Sequence, residues 1–139
     1  MFSIPSQQRT APTELIQLAK AQANEIITNI RGIDYIMLCS TDGFELTSIY
    51  KKNPYNSTKL AAVSSSILAM VSAFLNEIQL TGCQSITLDA ENGKAILTSI
   101  PAPHHPMVMV TLSNKDVLLG QLLYSLKQAS AAIVAADQT

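Results

Sequence analysis

Two histidines, His104 and His105, stand side by side in "PAPHHP" and are the only histidines of the chain. Imidazole can carry a proton near neutral pH or bind a transition metal. A metal site needs each ring turned toward the ion and further ligands around it. Adjacent side chains tend to diverge, and no acidic or cysteine motif sits beside this pair. A solvated loop is the expectation. Cys39 and Cys83 form no CxxC pair, so neither a redox motif nor a disulfide framework is indicated. Cys39 reads as core. Cys83 opens a strand and has no activating neighbour. "DAENG" has the look of a calcium loop, but its ligand and glycine spacing fail. Its Asn-Gly pair reads as a hairpin turn. There is no glycine-rich phosphate loop followed by Lys and Ser/Thr, and no GxSxG elbow. The expectation is no catalytic constellation, no cofactor, no metal and no enzyme.

The elements that carry these residues point elsewhere. "LAAVSSSILAMVSAFLN", from Leu60 to Asn76, carries no charge, glycine or proline, with Lys59 before it and Glu77 after it. A surface helix normally shows water a charged face. A membrane-spanning helix wants about 20 mostly apolar residues. This stretch is shorter and holds Ser64, Ser65, Ser66 and Ser72, so no membrane span is expected. Burial on two sides is the better reading, one against its own domain and one against another protein. Composition agrees. Among the 139 residues, 47% are hydrophobic and only 14% charged, against about a quarter usually. Scarce charge implies surface that is not solvated. The net charge of −1, with no basic run, excludes nucleic acid as a main partner. Two cysteines and an opening "MFSIPSQQRTAP" without an apolar core suit a reducing cytoplasm.

The element order follows from periodicity and punctuation. Residues 1–11 read as a flexible tail, 12–136 as one domain and 137–139 as a C-terminal tail. A helix starts near Pro12, with Leu15, Leu18, Ala19, Ile26 and Ile30 on its core stripe and Gly32 as the stop. "DYIMLCS" and "FELTSIY" form a hairpin about "TDG". The continuous apolar first strand suits a central position, the mixed second strand an edge. Ser57 or Thr58 can cap the charge-free helix, which runs to about Leu80 and stops at Gly82. "SITLDA" and "KAILTSI" form a second hairpin. "MVMVTL" is another central strand. A last helix runs from Val117 to about Ala135, capped by Asp116, with Leu118, Leu122, Leu126, Ala129 and Ile133 inward. The class is an α/β (α+β) sandwich, ordered α-β-β-α-β-β-β-α around an antiparallel sheet.

Four pieces in this order, "GIDYIMLCSTDGFELTS", "KLAAVSSSILAMVSAFLNEI", "ITLDAENGKAILTSI" and "VLLGQLLYSLKQA", make the chain resemble the Roadblock/dynein light chain family, of the bacterial gliding-motility regulator type. Gly32, Gly43 and Gly120 stand where that family has glycines. The resemblance implies a five-stranded antiparallel sheet with one helix on one face and two on the other, the first and fifth strands inside. It also implies a homodimer through the second helix and third strand, joining two sheets into one of about ten strands. Leu60, Val63, Ile67, Val71, Phe74 and Ile78 are then expected to face the helix's own sheet. Ala61, Ser64, Leu68 and Leu75 face the dimer partner, together with the uncharged edge Ser85, Ile86, Thr87 and Leu88. The implied external partner is a small Ras-like GTPase, whose hydrolysis such proteins can promote. Lys59, Ser65, Ser72 and Asn76 are the expected contacts. A scaffold subunit and a small-molecule sensor are the alternatives. Arg31 as a catalytic finger is a minor option beside a role at the helix end.

Overall fold

The two most apolar strands lie where both faces need covering. The computed structural model describes residues 11–51 and 55–138. All of the expected N-terminal tail except Ala11, the middle of the loop before the second helix, and Thr139 lie outside the described residues. β1 (Ile33–Ser40) is buried at every position but Asp34. It pairs antiparallel with β5 (Met107–Ser113). β2 (Glu45–Tyr50) flanks β1, while β4 (Gly93–Ile100) and β3 (Ser85–Ala90) follow β5. The sheet order is therefore β2-β1-β5-β4-β3, antiparallel throughout. The central and edge positions are those expected from strand polarity.

Alternation along β1 feeds two cores. Ile33, Ile36 and Leu38 join Leu15, Ala19 and Ile26 of α1 (Thr13–Asn29) and Leu122, Leu126 and Ile133 of α3 (Leu119–Ala136). Tyr35, Met37 and Cys39 point the other way, to Ala61 and Leu68 of α2 (Ser57–Glu77). Two helices thus cover one face and a single helix the other. Burying each large aliphatic side chain contributes about 1.5–3 kcal/mol, so β1 stabilises both layers at once.

The ends of the elements depart from the expected signals. Asn56, not Ser57 or Thr58, caps α2, its side chain accepting the Lys59 N–H at 3.1 Å. Ser57 lies inside the helix and donates to Glu45 of β2 at 2.6 Å. At the other end, Gln79 takes a left-handed φ of 63°. The Leu80 N–H reaches back to the Leu75 carbonyl at 2.8 Å and the Gln79 N–H to that of Asn76 at 3.1 Å. This is a Schellman closure with glutamine where glycine is usual, so α2 stops before Gly82. α3 starts at Leu119 without a side-chain cap. Asp116 instead donates its N–H to the Asn114 side chain at 3.0 Å, and Leu118 is exposed.

Gly93 has a reason other than turn conformation. The two-residue loop is Glu91–Asn92, and Gly93 opens β4. A Cβ on Gly93 would sit 2.6 Å from the Ser113 carbonyl oxygen of β5. Neither atom is the end of a flexible side chain, so a Gly93→Ala change must push two backbones apart. It is expected to lower stability in urea by about 1–3 kcal/mol. Gln79→Gly, relieving the left-handed residue, is expected to raise it by up to about 1 kcal/mol. Equal unfolding midpoints for these two variants would remove both explanations.

A candidate interaction surface on the second helix and third strand

The inward stripe of α2 is its small-residue stripe. Ala61 is fully buried, Ser64 is 2% exposed and Leu68 9%. The expected assignment holds only for Leu60 and Ile67, which pack half-buried against the core beneath α2. Ala61, Ser64 and Leu68 face the helix's own sheet, while Val63, Phe74 and Ile78 are exposed to solvent. Their exposures are 46%, 63% and 50%. The physical reason is distance. A helix resting on alanine and serine comes close to the strands, and the larger Leu60, Ile67 and Val71 then fill the flanks, half-buried.

α2 therefore carries two different free flanks. At helical spacing Val63, Met70, Phe74 and Ile78 share one, and Met70 is 66% exposed. Exposed methionine suits an adaptable contact. The opposite flank carries Ser65, Ser72 and Asn76. Ser65 is half-buried next to the β1–β2 turn, where its Oγ lies 3.1 Å from the Cβ position of Gly43. Its hydroxyl donates to the Ala62 carbonyl at 3.1 Å. Lys59 and Ser72 are exposed, as is Asn76. Three of the four expected partner contacts thus share a flank, and Lys59 sits apart from them.

β3 adds a second candidate surface, and its Ile86 packs against the same buried cluster as Ile67 of α2. That strand pairs with β4 alone, and its other edge has no strand among the described residues. Ser85, Thr87 and Leu88 are exposed and Ile86 is half-buried. Leu88 is 43% exposed and Leu80, just beyond α2, 53%. Apolar side chains this exposed, beside an unpaired strand edge, mark a contact surface. α2, with 21 residues, is also the one helix among the described residues long and apolar enough to cross a bilayer by length and composition. In the fold it lies along the sheet, seated on Ala61, Ser64 and Leu68.

The residues that first suggested chemistry are held in structural roles. Cys39 is fully buried, and burial above all, with the charges of Asp42 and Glu45, pushes its thiol up to about 12. A thiol so hard to ionise is a poor nucleophile. His104 and His105 do not sit in a free loop. Both backbone N–H groups donate to one oxygen of Asp137, at 2.8 and 2.7 Å, and His105 Nδ1 meets its other oxygen at 2.8 Å. Among the described residues no three His, Cys, Asp or Glu side chains come together as a metal-binding group. Asp137, expected in a C-terminal tail, is 3% exposed and pins this loop to the end of α3. No local motif announces it, because its partners lie 32 and 33 positions earlier.

No family profile matches the sequence, and no curated protein matches it. Solved structures match by shape. Gliding protein mglB from Thermus thermophilus superposes with a TM-score of 0.81 at 16% identity, over 93% of this chain and 95% of that one. MglB in a tetrameric arrangement gives 0.81 at 16% identity, over 93% and 94%. A Roadblock/LC7 domain from Streptomyces avermitilis gives 0.73 at 11% identity, over 84% and 94%. The chain has the Roadblock fold. In this version of the Roadblock fold the helix that lies alone on its face leaves an apolar flank uncovered, and the β3 edge of the sheet is bare among the described residues.

The Asp137 clamp of this Roadblock fold has a defined pH signature. Burial by itself raises the carboxyl pKa. The His105 side-chain bond and the two backbone N–H groups outweigh it, leaving the group below its ordinary 3.8. A lowered folded value stabilises the fold above the ordinary value, and that stabilisation is lost as pH falls through the lowered one. Asp137→Asn is expected to cost about 1–3 kcal/mol at neutral pH, the range for hydrogen bonds to a charged group. In urea titrations the difference from the parent should shrink as the solution is taken below pH 3.8. A difference that does not change with pH would leave the carboxylate charge without a role.

Proposed function

We propose that this chain is a non-enzymatic homodimeric module that binds and regulates a small Ras-like GTPase in the cytoplasm. The observation that carries the reading is the exposed apolar flank of α2 together with the unpaired edge of β3. One two-fold operation satisfies both. The β3 edges pair, and the two α2 helices meet through Val63, Met70, Phe74 and Ile78. A specific interface usually buries about 800 Å² per partner, and a helix flank together with a strand edge is of that order. The shared fold with MglB and the family resemblance of the sequence support a GTPase as the external partner.

The dimer presents a composite surface that neither chain has alone. Its exposed polar positions include Lys59, Ser72 and Asn76. Few charges there favour shape and apolar contact over electrostatic steering, so binding should vary little with salt. The module supplies no catalytic group in this reading. It acts by holding the GTPase in the conformation that hydrolyses GTP.

Sedimentation at micromolar concentration tests the dimer. Phe74→Glu changes an exposed side chain, so the monomer should stay folded. Burying its lone charge at the interface should weaken dimerisation by about 3 kcal/mol or more. Leu68→Glu should instead unfold the protein, since Leu68 belongs to the core beneath α2. A parent protein that sediments as a monomer would sink the dimer. Titration against the Ras-like GTPases encoded alongside this chain, in both nucleotide states, tests the partner. Binding and faster GTP turnover are expected with the parent and not with Phe74→Glu. Absence of binding in either state would favour the scaffold role, and undiminished binding by the monomer would remove the composite surface.

A further inference from the structure

A cavity of about 380 Å³ lies between α3 and the β3–β4 hairpin. Thr98 lines it and belongs to the sheet face opposite α2, because its neighbours Ile96 and Ile100 at alternate positions pack into the core of α1 and α3. Leu123, Leu126 and Val134 form an apolar wall along α3. Gln84, Ser85, Ser99 and Ser130 also line the space, and two further polar residues stand out among the lining. Thr98 is 5% exposed, and its Oγ1 is buried with no hydrogen-bond partner among the described residues. A buried hydroxyl left unpaired costs the fold its lost hydration. Lys127 also lines the cavity, is exposed, and has no ion-pair or hydrogen-bond partner among the described residues. No aspartate or glutamate lines the space with it.

An apolar wall, one unbalanced cation and one orphan hydroxyl define a ligand chemistry. We propose that this cavity binds a small carboxylate with an apolar body. Lys127 supplies the charge, Thr98 turns about χ1 to donate its hydroxyl, and Leu123, Leu126 and Val134 cover the hydrocarbon. A single ammonium balances a single negative charge, which favours a carboxylate over a phosphate dianion. The volume falls in the range of small-molecule sites, roughly 300–1,000 Å³. The cavity is on the face opposite α2 and shares only Ser85 with the β3 edge proposed to pair, so octanoate binding and GTPase binding are read out separately.

The test is a ¹H–¹⁵N NMR titration of the full chain with octanoate, kept below its micelle concentration, with octanol as the neutral control. Saturable shifts are expected at the α3 and β3–β4 residues of the cavity. Lys127→Gln should weaken octanoate by between about twofold and fivefold without changing octanol binding. Thr98→Val keeps the side-chain shape and removes the orphan hydroxyl, so it should fold at least as stably as the parent yet bind octanoate between about twofold and fivefold more weakly. No saturable binding by the parent overturns the proposal. So do shifts centred on the exposed flank of α2, or octanoate binding as tight as the parent's in either variant.

Discussion

The close seat of α2 on the sheet is the contact from which the exposed apolar flank follows. Ala61 is fully buried there and Ser64 nearly so. Two small side chains let the helix backbone approach β1 and β5, where Tyr35, Met37, Val108 and Val110 wait. With the helix that low, Leu68 alone of its large aliphatic residues is buried beneath it, and the others do not fit there. They spread to the flanks, and those on one flank find no cover in their own chain. A larger residue at position 61 would lift the helix and change which flank is left bare. The exposed apolar surface is thus the geometric consequence of good packing underneath it.

The opposite face is organised differently. Two helices, α1 and α3, share the work there, and Ile36, Leu38, Ile96, Ile100, Met107 and Met109 of the strands complete one continuous core. That side encloses most of its apolar residues, Leu118 at the start of α3 and Tyr124 along it being exposed. Asp137 closes the end of the layer by accepting two backbone N–H groups and an imidazole bond from the loop that leads into β5. The single-helix face is the more open one because one helix is too narrow to cover five strands, and the two-helix face is the better covered one.

Much of this was legible before any coordinates. The near-continuous apolar runs of β1 and β5 require cover on both faces, and only a central position supplies it. The mixed polarity of β2 suits an edge. Turn and cap residues set the number and order of the elements. The missing charge between Leu60 and Asn76 showed that this helix has no charged face to present to water. These are properties of composition and short-range periodicity, which the chain carries in any conformation.

Tertiary structure decided what depends on distance between remote segments. Two stripes of α2 are both uncharged, and periodicity alone ranks the larger one as core. The sheet chose the smaller one, because closeness of approach outweighed side-chain size. Gly93 reads locally as a turn glycine, yet its constraint is a carbonyl on β5, twenty positions away in sequence. Gln79 closes α2 without the glycine that a local rule expects, held by the backbone bonds to Leu75 and Asn76. The His104–His105 pair looked solvated because its partner, Asp137, is distant in sequence and adjacent only after α3 has packed. Local chemistry thus determined which elements form and which of them lack cover, and long-range packing determined which faces are left for another molecule.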